Sequence, residues 1–79
     1  MKLSAGDLVI DNGIWNNSDG VCLYDRPPNL DGATVTATLR PGTAALIIKL
    51  DRSDACCVYL LTCTGAGWTL GAYLCKVNT

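Results

Sequence analysis

The chain reads as all β, a small and partly open barrel of about five or six strands, and three features of its sequence predict this. Glycine and proline interrupt it at short intervals. The pieces between are rich in Val, Ile, Thr, Leu, Tyr and Cys, which suit a pleated, half-buried surface. Glutamate, a strong helix former, is absent altogether and lysine is scarce on a 3.6-residue period, which makes an amphipathic helix hard to place.

Leu8 to Ile10 forms a first short strand, closed by Asp11-Asn12-Gly13, whose Asn-Gly pair favours a tight turn. Val21 to Tyr24 is the second. Residues 25–32 contain Pro27 and Pro28, which remove ladder donors, so this segment is a surface loop. From Thr34 to Leu39 the alternation is clean: Val35, Ala37 and Leu39 are expected on the core face, and Thr34, Thr36 and Thr38 on the wet one. Arg40-Pro41-Gly42-Thr43 fits a type II turn, with Pro presetting φ at the second position and Gly supplying positive φ at the third. The following strand, Thr43 to Leu50, is apolar on both sides and is expected to be central and doubly covered. Asp51 to Asp54 is a polar connection, and Cys56 to Cys63 a further strand with Val58 and Leu60 on one face and Cys57, Tyr59 and Leu61 on the other. Thr64 to Gly67 turns the chain into Trp68-Thr69-Leu70, Gly71 supports a short turn, and Leu74 to Val77 closes the fold. With 79 residues the chain is one domain, 1–79, read as an N-terminal strand and loop extension over residues 1–20 and a barrel core over residues 21–77.

Composition narrows the function. Histidine and glutamate are missing, so neither a Ser-His-Asp nor a Cys-His arrangement can be built from this chain, and the reading is of a protein that is not an enzyme. The seven aspartates sit mostly beside Gly, Asn, Ser, Arg or Pro, where an Asp side chain caps its own turn; Asp51-Arg52-Ser53-Asp54 is a poor calcium loop. A net charge of −1 offers no basic field for nucleic acid. The longest apolar run, Ala55 to Leu61, is far short of the ~20 residues a membrane helix needs. No secretory h-region follows Met1, which implies a cytoplasmic product or a chain whose signal has been removed. Cys22, Cys56, Cys57, Cys63 and Cys75 include no Cys-x-x-Cys pair, and they read chiefly as small buried hydrophobes, with disulfides and metal binding as alternatives. No cofactor is implied.

Four motifs in order resemble SH3-like barrels, both the bacterial SH3 type and the SH3 domain, over residues 21–77. Leu23-Tyr24-Asp25 resembles the LYD core of the motif that opens that family's RT loop, and Pro27 to Gly32 lies where the loop bulges. Leu39 to Thr43 is similar to the turn before the family's central strand. Gly67-Trp68-Thr69-Leu70-Gly71-Ala72-Tyr73-Leu74 resembles the family's ending, with its short 3₁₀ turn. The resemblance implies a noncatalytic module that binds a protein or peptide, with Tyr24 and Tyr73 at aromatic platform positions and Asp25 and Asp31 able to meet a basic ligand residue. Arg26 replaces the motif's second aromatic and Leu70 the platform proline, so a proline-rich ligand is not implied. Trp68 and Tyr73 also serve as barrel packing, the bland reading of both. Trp15, in a polar loop outside the resemblance, either folds over the barrel or projects as an anchor. Alternative readings are a structural or assembly component of a phage or bacterial complex, with homo-oligomers, and a cell-wall-binding module.

Gly42→Val is expected to destabilise the fold by more than about 1 kcal/mol, since a β-branched residue resists the positive φ of a type II turn. An unchanged melting temperature would show that the turn is of another type.

Overall fold

The computed structural model describes residues 3–13, 20–27, 31–51 and 56–77. Among them, seven strands form one antiparallel sheet: β1 (Leu8–Asp11), β2 (Val21–Tyr24), β3 (Val35–Leu39), β4 (Ala45–Leu50), β5 (Cys57–Thr62), β6 (Gly65–Leu70) and β7 (Leu74–Lys76). A 3₁₀ turn at Gly71–Tyr73 joins β6 to β7, where the sequence places a short turn. The strands lie in the order β3-β2-β6-β5-β4-β1-β7, and the sheet curls into a half-barrel. The count is seven rather than five or six. The short strands β1 and β7 pair with one another: Val9 with Lys76, Ile10 with Cys75 and Asp11 with Leu74. β1 is integral to the sheet, between β4 and β7, with Val9 fully buried.

The inner face holds the core, made of Val9, Val21, Leu23, Leu39, Ala45, Ile47, Val58, Leu60 and Leu74. Each fully buried Val, Leu or Ile contributes roughly 1.5–3 kcal/mol relative to exposure. Leu3, Ala37, Leu50 and Tyr73 pack against this cluster from its margins.

Local turn chemistry behaves as the residues dictate. Gly42 has φ +80°, and Thr43 donates to the Arg40 carbonyl from both its N–H (3.1 Å) and its Oγ1 (2.6 Å). At Asp11-Asn12-Gly13 the Asp11 carboxylate accepts the Gly13 N–H at 2.8 Å, and the Asn12 side-chain amide donates to the Ala72 carbonyl at 2.7 Å, tying the end of β1 to the 3₁₀ turn.

Three expectations need correction. β4 is fully covered on one face only: Ala45 and Ile47 are buried, whereas on the outer side of the curled sheet Leu46 is half-buried and Ile48 is 42% exposed. On β3, Leu39 is buried but Val35 is 50% exposed, because Leu23 pairs with Ala37 and Tyr24 with Val35, leaving Thr36 as an extra residue in a bulge that breaks the alternation. The turn expected over Thr64 to Gly67 is confined to Cys63 and Thr64, between the paired residues Thr62 and Gly65. The Thr62 hydroxyl oxygen accepts the Thr64 N–H at 3.1 Å, which stabilises so short a connection.

Gly67 shows why a glycine-rich stretch is a strand here. A Cβ at this position would stand 2.7 Å from the Leu23 Cβ, 2.8 Å from the Thr36 Oγ1 and 3.0 Å from the Tyr24 nitrogen. The β2–β3 hairpin thus presses directly on the backbone of β6, where Thr36 Oγ1 donates to the Ala66 carbonyl (2.9 Å) and Thr64 Oγ1 to the Thr38 carbonyl (3.2 Å). Gly67→Ala is therefore expected to cost about 1–3 kcal/mol through overpacking, although its φ is ordinary. The midpoint of urea unfolding measures this; an unchanged midpoint would mean that the hairpin does not seat on β6.

Candidate functional site: an aromatic and aliphatic outer face

Alternation along β5 and β6 sends Val58, Leu60, Gly67 and Thr69 inward, all buried, and leaves Tyr59, Leu61, Ala66 and Trp68 on the opposite side. Strict alternation along β4 would carry Lys49 inward after Ala45 and Ile47. A bulge prevents it. Ile47 pairs with Leu60 and Lys49 with Tyr59, so Ile48 is the extra residue, and both Ile48 and Lys49 emerge exposed while Leu50 returns to the core margin opposite Val58.

Two cross-strand rows result. In the first, Lys49, Tyr59, Trp68 and Tyr24 are successive register partners across β4, β5, β6 and β2. The rings of Tyr59 and Trp68 are 5.2 Å apart, inclined by 59°, a tilted arrangement that the ring quadrupoles favour. The Lys49 ammonium lies 5.4 Å from the Tyr59 centroid and 5.6 Å from that of Trp68, close enough for a cation–π attraction to both. An open groove of about 380 Å³ runs beside this row, lined by Lys49, Leu50, Asp51 and Trp68. In the second row, Leu8, Leu46, Leu61 and Ala66 are partners across β1, β4, β5 and β6, with Leu8 44% and Leu61 49% exposed.

The candidate residues named from sequence are divided by this geometry. Tyr24 and Trp68 come together in the first row. Asp25 and Asp31 sit at the β2–β3 hairpin instead. The Asp25 carboxylate accepts the Thr34 N–H at 2.9 Å and lies 3.6 Å from the Arg26 guanidinium, so it staples the mouth of the hairpin. Asp31 is exposed, and its carbonyl meets Arg26 Nη1 at 3.5 Å. Tyr73 lies on the 3₁₀ turn and packs against the core. Trp15 lies outside the described residues. The residues that sequence reasoning missed are Tyr59, Leu61, Ile48 and Lys49. For the first two a signal existed in the outward alternation of β5; for the last two it depends on a bulge that no local residue marks.

No disulfide joins any two of the five cysteines: Cys57 is buried, Cys22 and Cys75 half-buried, and Cys56 and Cys63 exposed. Among the described residues, no three potential metal ligands come together, and no helix is long and apolar enough to cross a membrane. The outer face offers ring surfaces, aliphatic contact and one ammonium group. Comparison of the chain with protein-family models, with curated proteins and with solved structures finds no match.

A double-mutant cycle with Tyr59→Leu and Trp68→Leu is expected to give a coupling of about 0.5–1 kcal/mol in denaturant unfolding. Coupling indistinguishable from zero would show that the two rings do not interact in solution.

Proposed function

We propose that the chain is a noncatalytic protein-interaction module on an SH3-like barrel, acting in the cytoplasm, and that its partner docks on the outer face of β4, β5 and β6. The SH3-like reading draws support from three features: the half-barrel itself, the Pro41-Gly42 turn before β4, and the 3₁₀ turn that follows Gly67-Trp68. The docking face rests on one observation. Leu8, Ile48 and Leu61, each between 42% and 49% exposed, lie on adjoining strands beside the Tyr59–Trp68 pair. Apolar side chains scattered singly over a surface need no explanation, and their grouping on one sheet face is what supports an interaction site there.

Affinity capture from the native host's lysate tests this with two variants. Leu61→Asp is expected to keep the melting temperature, because Leu61 is half exposed, and to lose the proteins retained by the wild type. Asp31→Asn, on the hairpin, is expected to retain them. Equal retention by both variants would move the site away from β5.

The same apolar row also favours a second reading, a small assembly component that forms homo-oligomers. Sedimentation that stays monomeric at every concentration would remove it.

A further inference from the structure

We infer that the outer face receives an extended peptide in which a single carboxylate stands beside aliphatic side chains, the carboxylate pairing with Lys49 and the aliphatic groups lying over Leu46, Ile48 and Leu61. The inference rests on reading that face as the docking surface. Lys49 is the one charged residue in the two rows that also hold Leu8, Leu46, Tyr59, Leu61, Ala66, Trp68 and Tyr24. Neither of the ion pairs between described residues, Arg26 with Asp25 and Lys76 with Asp7, involves Lys49. Ring faces attract its charge but accept its N–H groups only poorly, which leaves donors for a stronger acceptor. The rings also displace water from one side of the ammonium group, so a carboxylate arriving there makes a stronger charge-assisted hydrogen bond than it would with a fully solvated lysine.

Two further features define the ligand. Lys49 supplies the one ammonium group of the two rows, so one acidic residue suits the site better than an acidic run. The outer side of a curled sheet is convex, and a flexible segment covers a convex face better than a second rigid convex face does. Crossing from β1 to β6 takes three inter-strand steps, ~14 Å, which four or five extended residues span at ~3.3 Å each.

Panning a random heptapeptide display library against the immobilised full chain tests the inference, with Lys49→Glu, Lys49→Gln and Leu61→Asp in parallel. The wild type is expected to enrich peptides with one Asp or Glu next to Leu, Ile or Val. For a synthetic copy of an enriched peptide, Lys49→Gln should weaken binding about tenfold and abolish its salt dependence. Lys49→Glu should enrich Lys or Arg in place of the acid. If Lys49→Glu keeps the acidic preference, or the wild type enriches basic or uncharged peptides, the inference fails; the docking face itself still stands provided that Leu61→Asp loses those peptides. If the wild type enriches nothing, both fail.

Discussion

The half-barrel rests on steric concessions at two glycines: at Gly20, whose φ is positive, a Cβ would run into the Leu39 carbonyl oxygen, and at Gly67 the missing side chain admits the β2–β3 hairpin. Leu23, Thr36 and the backbone of Tyr24 occupy the volume that a Cβ there would need. That contact lets the β2–β3 hairpin settle on β6 and bring Val21, Leu23 and Leu39 against Ile47, Val58 and Leu60. A sheet of strands this short has little core to spend, and a hairpin standing off β6 by even one methyl group would open it. The threonine hydroxyls that cross the contact, from Thr36 to Ala66 and from Thr64 to Thr38, fix the seating as well as its distance.

A second local irregularity decides what the outside of the sheet presents. The bulge at Ile48 rotates Lys49 out of the core side and sets it opposite Tyr59. The same half-turn returns Leu50 to the core margin, so one extra residue serves packing and surface together. Thr36 plays the corresponding part on β3, where it exposes Val35. Both bulges occur in strands whose neighbours are hairpin-connected or in direct contact, where increased twist helps the sheet to curl.

The inner and outer faces therefore differ in kind although both are apolar. Inside, aliphatic groups are fully enclosed. Outside, rings and leucines are only half covered, and the single ammonium group among them lies over the rings. Free energy remains to be gained there by any partner that removes water from the leucines and supplies an anion to Lys49.

The sequence by itself determined the strands and their turns, because those depend on neighbouring residues: Pro41-Gly42 dictates its turn, Asp11-Asn12-Gly13 caps β1, and the runs from Val21 and Cys57 are strands in any reading. It also marked Tyr24 and Trp68, though not that they would stand in register, and of the two readings it gave Tyr73, platform and barrel packing, the packing is the one seen. The tertiary structure alone decided the partners: that β1 joins the sheet between β4 and β7, that Gly67 is a contact rather than a turn, and that Ile48 bulges to deliver Lys49 to Tyr59 and Trp68. The physical reason is range. Turn geometry is settled within about four residues, whereas register and bulges are set by the strand alongside, which is distant in the chain and leaves no trace in the local pattern.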